Sequence, residues 1–143
     1  MIVYIGLGSN IGMRERTIER ALALLDERLG ERLRVAPYFY SAPQGFESEH
    51  MFCNTAAAYR TRLSAMACLD VTEEIERELG RTCKSEHGIY HDRTIDIDLL
   101  CAEDEDGHAV YESTSRLTLP HPRIAERDFV QVPLQAICLY KNS

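Results

Sequence analysis

Two runs of helical apolar spacing, each closed by a glycine, constrain this chain more than any other feature. From about Arg14 to Leu29 the residues Ile18, Ala21, Leu22, Leu25 and Leu29 recur every three or four positions, and Gly30 supplies the stop. Ser64 can cap a second run, in which Cys68, Val71, Ile75 and Leu79 form a stripe before Gly80. A helix with one apolar face must lay it on something flat. The segments around the helices supply that partner: IVYIGL at 2–7, Leu33 to Tyr40, Met51 to Arg62, and RTIDIDLL at 93–100 all read as strands. Strand, helix, strand, strand, helix, strand is the split βαβ order. The expected fold is therefore α+β, with a ferredoxin-like βαββαβ core and an antiparallel sheet.

A carboxyl-terminal strand and helix extension should follow. EDEDGH offers a hairpin turn at Asp106-Gly107, extended pieces fall near 109–111 and 116–119, and Pro122 can open a closing helix that ends near Ile137. A length of 143 residues fits one domain. No apolar stretch approaches membrane-spanning length, and the start MIVYIGLG lacks the features of a secretory signal, so a cytoplasmic protein is expected. The five cysteines are odd in number and never form a C-x-x-C pair, which suits free thiols in a reducing compartment. A net charge of −7 argues against nucleic-acid partners.

Within the fourth strand, Asp96 and Asp98 share one face while Ile95, Ile97 and Leu99 take the other. The carboxylates stand roughly 7 Å apart and repel by about 2 kcal/mol at an effective dielectric of about 20. Two readings are open: a solvated acidic strand face, or a site for a hard divalent cation such as Mg²⁺, which takes one or two carboxylates and completes its shell with water and phosphate oxygens. Arg81, Lys84, Arg93, Arg116, Arg123 and Arg127 cluster in the same half of the chain, which favours a small polyanion as partner. Gly6, Gly8 and Gly12 fail the dinucleotide spacing, since Ile11 stands where the third glycine is needed. His87 and His91 have the spacing of a helical metal pair, but Gly88 and the loop context argue against it. The segment 80–93 has little periodicity and reads as a lid over the aspartates, and the polar loop SAPQGFESEH is long enough to carry binding groups.

Taken together, YIGLGSNIG at 4–12, YSAPQG at 40–45, FCN at 52–54, IERELGR at 75–81, DRTIDIDLL at 92–100 and LPHPRIAERDFVQVPLQAI at 119–137 are similar in order and spacing to the 6-hydroxymethyl-7,8-dihydropterin pyrophosphokinases of folate biosynthesis. The resemblance implies transfer of the diphosphate of ATP to the pterin hydroxymethyl group, leaving AMP. It makes Asp96 and Asp98 ligands of two Mg²⁺ ions, with Arg81 and Arg93 sharing the catalytic work and Asp96 also touching substrate. The nucleotide would be held by Arg81, Lys84, Arg93, Leu99, Arg116, Thr118, His121 and Arg127. The pterin would be held by Pro43, Gln44, Gly45, Phe52, Asn54 and Phe129, with Asn54 reading the ring edge between the two phenylalanines.

Bland alternatives stand beside these roles: Phe52 and Phe129 as ordinary core, His121 as a packed histidine between prolines, and Glu76 as a solvated helix residue rather than a support for the site. The chain departs from the family pattern at Cys83, at HGIYHD before Arg93 and at Ala42. The implied partners are small molecules acting on a monomer, without nucleic acid or membrane. A binding-only paralogue and an RNA-binding domain of the same fold are the competing functions.

Overall fold

A computed structural model of the chain describes residues 1–10, 12–42, 51–80 and 95–138. Its elements run β1 (Ile2–Ser9), α1 (Arg14–Arg28), β2 (Gly30–Val35), β3 (Phe39–Ser41), β4 (Phe52–Thr61), α2 (Ala65–Glu78) and β5 (Asp96–Glu103). Two short strands, β6 (Glu112–Ser113) and β7 (Thr118–Leu119), a single 3₁₀ turn at Ile124–Glu126 and α3 (Asp128–Ile137) complete it. The main sheet has the order β2-β4-β1-β5, antiparallel throughout, with β3 adding to β4. Each helix returns the chain to a strand that is not the neighbour of the one it left. That is the expected ferredoxin-like arrangement.

The helical periodicity read from the sequence produces the packing. Ile18, Ala21, Leu22 and Leu25 of α1 and Ala65, Cys68 and Ile75 of α2 are buried. They cover one sheet face, against Val3, Ile5 and Leu7 of β1, Cys53, Ala57 and Tyr59 of β4, and Ile97 and Leu99 of β5. Ser64 caps α2 as expected, its hydroxyl accepting from the Ala67 N–H at 3.1 Å. Arg28 ties the two helices together through Glu78 and Glu74 and holds the Glu78 carboxyl below its usual range. On the opposite face, α3 lays Ile137 and Leu134 over Tyr4, Ala56 and Ala58.

Several boundaries differ from expectation, each for a local reason. The strand expected at 33–40 is two strands, because Pro37 has no N–H to donate. Ala36 bridges the break: its N–H donates to the Ala56 carbonyl at 2.9 Å, and its own carbonyl accepts from the Thr55 hydroxyl at 2.7 Å. Gly30 does more than stop α1. It opens β2 with φ at +153°, and a Cβ there would lie 2.0 Å from the Arg60 carbonyl oxygen. The closing helix expected from Pro122 is interrupted at Arg127, whose backbone is extended, so the 3₁₀ turn precedes α3. The expected extended pieces at 109–111 and 116–119 reduce to one bridge at Ala109 and the short β6–β7 pair.

Candidate active site

Three strands build the site on the same sheet face as α3, beyond the part that α3 covers. Gly8 of β1 lies opposite Asn54 of β4 on one side and Asp96 of β5 on the other, and Gly6 lies opposite Ala56 and Asp98. Directly opposed residues point their side chains to the same face, so Asn54 and Asp96 look across a glycine that contributes none. Two strand spacings, about 10 Å, separate their backbones. Glycines at alternate strand positions mark a close approach. A Cβ on Gly8 would meet Asn54 Oδ1 at 3.0 Å and Phe52 Cδ1 at 3.5 Å; one on Gly6 would meet Leu100 Cδ1 at 3.3 Å. Gly8 thus forms the floor of a trough with the Asn54 amide and the Phe52 ring on one wall and Asp96 on the other, while the Leu100 side chain fills the space over Gly6 beside Asp98. Asp96 is half-buried and Asp98 exposed. The donor set suits a hard divalent cation, since two carboxylates on one strand face supply oxygen ligands.

The outer edge of β5 is held by groups from distant parts of the chain. Glu76 is buried on α2, not solvated, and its Oε2 accepts from the Ile97 N–H at 2.7 Å. Ile97 stands between the two aspartates, so α2 fixes the strand that presents them. Further along, the His121 N–H donates to the Leu100 carbonyl at 2.7 Å. His121 Nδ1 accepts from the Arg123 N–H at 3.2 Å, so in the neutral ring the proton is on Nε2, free to face an anion. Leu100 drops out of the β1–β5 ladder at a bulge between Tyr4 and Ile5 and lays its side chain over Gly6, on the face that the aspartates share.

The remaining nominated residues have varied surroundings. Leu99 packs in the core, so a contact from it to a ligand would use its backbone. Phe52 is half-buried on the Asn54 face, which makes it a wall of the trough and not core. Phe129 sits in the first turn of α3 with the Arg127 guanidinium over its ring, 5.6 Å from the centroid. Thr118 is exposed on β7. Arg116 pairs with Asp70 at 3.0 Å and Glu73 at 2.8 Å on the outer side of α2. Pro43, Gln44, Gly45, Arg81, Lys84 and Arg93 lie outside the described residues, as do Cys83, His87 and His91. Sequence reasoning missed Gly8 as a floor, although the alternate glycines Gly6 and Gly8 within a strand were the available signal. It also missed Ser41, whose hydroxyl oxygen accepts from the Asn54 amide at 2.9 Å.

Other polar features lie away from the trough. Asp104, Asp106 and His108 bring donor atoms within 4.8 Å of one another on the hairpin after β5. Asp104 already accepts from the N–H groups of Asp106 and His108, which builds the turn and holds its carboxyl below the usual range. A groove of about 950 Å³ opens at the far end of the sheet between Met1, Gly30, Thr61, Glu103 and Asp106, and none of the nominated residues lines it.

A ferredoxin-like sheet that sets paired carboxylates and a buried amide on one strand face suits an enzyme of the phosphate-transferring class, which holds its polyanionic substrate through a carboxylate-bound cation. The particular family follows from comparison with known proteins. The chain belongs to the 7,8-dihydro-6-hydroxymethylpterin-pyrophosphokinase family, whose model matches residues 4–139. It is 45% identical over 138 residues to the 2-amino-4-hydroxy-6-hydroxymethyldihydropteridine pyrophosphokinase of Porphyromonas gingivalis, covering 95% of this chain and 90% of that one. It is 39% identical to the protein of the same name from Bacillus subtilis, covering 96% and 78%. A solved structure described as HPPK-DHPS in complex with substrates shares the fold, with a TM-score of 0.67 at 13% identity. That match covers 95% of this chain and 40% of the other.

Proposed function

We propose that this enzyme transfers the diphosphate of ATP to the hydroxymethyl group of 6-hydroxymethyl-7,8-dihydropterin, giving AMP and the pterin diphosphate in folate biosynthesis. The row Asn54–Gly8–Asp96 carries the reading. A flat heterocycle rich in hydrogen-bonding groups needs a floor without side chains, an amide at its edge and aromatic faces. Gly8, Asn54 and the rings of Phe52 and Phe129 meet those needs, and Pro43, Gln44 and Gly45 add to them by family likeness. An alcohol on the side of the ring away from Asn54 then points toward the aspartates.

Asp96 and Asp98 would hold Mg²⁺, two ions in our reading, which when bound neutralises triphosphate charge and favours ionisation of the alcohol. The alcohol oxygen attacks the β-phosphorus, the bond from that phosphorus to the oxygen shared with the α-phosphorus breaks, and the hydroxyl proton passes to solvent. His121 Nε2–H, Arg127 and Arg116 supply donors to phosphate oxygens on the β5 side, joined by Thr118, Leu99, Arg81, Lys84 and Arg93. Arg116 must exchange its carboxylate partners on α2 for phosphate.

The described cysteines are unbridged, which supports a reducing cytoplasm. Among the described residues no helix is long and apolar enough to cross a membrane. Incubation with Mg-ATP and the pterin alcohol should release AMP in step with the pterin diphosphate. Release of ADP, or pterin binding without AMP, would overturn the assignment, the latter in favour of a binding-only paralogue.

A further inference from the structure

We infer that Ser41 is a positioning residue that locks the Asn54 amide with its oxygen toward the trough, so that the substrate edge read there must be an N–H donor. The inference deepens the pterin reading and rests on it. Asn54 is only 4% exposed. Its Nδ2 donates to the Phe39 carbonyl at 2.8 Å and to Ser41 Oγ at 2.9 Å, with Phe52 O further off at 3.4 Å. An amide nitrogen has two hydrogens, and those two short bonds use both. Rotating the amide by half a turn would set Oδ1 against the Phe39 carbonyl oxygen, acceptor facing acceptor, in a buried position. Phe39 and Ser41 flank Tyr40 on β3, which pairs with β4 at Phe39–Asn54 and Ser41–Phe52, so both anchors sit on the strand beside the amide they hold. The oxygen is left over Gly8, 3.0 Å from where a Cβ would stand. Asn54 therefore offers the trough an acceptor and no donor.

Ser41 is the replaceable half of the lock, because the Phe39 carbonyl is backbone. In Ser41→Ala the second N–H loses its acceptor and the amide gains freedom to turn, whereas Ser41→Thr keeps the hydroxyl. Steady-state kinetics and calorimetric titration with the pterin alcohol would test the claim in both variants. Ser41→Ala should raise the pterin KM and Kd about fivefold, the scale of one neutral hydrogen bond. Ser41→Thr should stay within about twofold of the parent, and the KM for ATP should not move in either variant. An analogue whose pyrimidine-edge N–H is methylated should be rejected by the parent enzyme and rejected less strongly by Ser41→Ala.

An unchanged pterin KM in Ser41→Ala would overturn the lock, as would equal losses in both variants or parallel changes in the ATP KM. Gly8→Ala gives an independent check: its Cβ would press on an oxygen that cannot yield, so a parental pterin KM there would also contradict the arrangement. A parent enzyme that releases no AMP would sink the functional reading itself. An active parent with an indifferent Ser41→Ala sinks only the role of Ser41.

Discussion

Glu76 offers the sharpest test of how the fold serves the site. Its carboxyl reaches from α2 to the edge of β5 and accepts the Ile97 N–H at 2.7 Å in a buried position. Glu76→Met keeps the length and apolar stem of the side chain but removes the acceptor, leaving that N–H buried and unpaired. Such a group costs about 1–3 kcal/mol, and for a chain of this size each kcal/mol lowers the melting temperature by about 2–4 °C. A loss near the middle of the range predicts a fall of about 4–8 °C. Glu76→Gln retains an oxygen at the same distance and should cost about 1 kcal/mol or less. Thermal unfolding measures both. Because Ile97 lies between Asp96 and Asp98, the Met variant should also lose turnover at temperatures well below its melting point, while the Gln variant keeps most of it. If Glu76→Met melts with the parent, or Glu76→Gln falls as far as Glu76→Met, the hydrogen bond is not what holds this edge of the sheet.

Replacing Asp96 or Asp98 by alanine should abolish AMP release while shifting the melting temperature little, since both side chains face the trough and not the core; retained turnover in both variants would remove them from the mechanism. Glu103 is 8% exposed, its Oε2 has no hydrogen-bond partner among the described residues, and desolvation, aided by neighbouring Asp104, raises its carboxyl above the usual range. A raised folded-state value means a contribution to stability that is full below the unfolded value and is lost as pH rises through the folded one. Glu103→Gln should accordingly raise the melting temperature at neutral pH and lose that advantage in acid; a gain independent of pH would contradict the assignment. Burial, with Cys138 and Glu103 nearby, pushes the Cys101 thiol up to about 12, so alkylation at pH 8 should be far slower for Cys101 in the native protein than in the unfolded chain, as mass spectrometry of the modified peptide would show.

Periodicity and cap chemistry determined the two helices, their glycine stops, the Ser64 cap and the succession of strands and helices along the chain, because each is a local property. The same alternation placed Asp96 and Asp98 on one face of a strand. It could not say what stands beside them. Pro37 was visible in the chain, but whether the strand survived it depended on Ala36 finding partners on β4. Glu76 read equally well as solvated or supporting, because a helix pattern does not reveal that a neighbouring strand has an unpaired N–H within reach.

Tertiary structure decided the site. Gly8 became a floor only when the sheet order set β1 between Asn54 and Asp96, residues 42 positions apart in the chain. Ser41 acquired a role only when β3 paired with β4 and put its hydroxyl against a buried amide. Register across strands is a long-range property, fixed by burial of the helix-covered face. A local pattern can therefore assign a residue to a face, but only the assembled sheet determines which side chains share it.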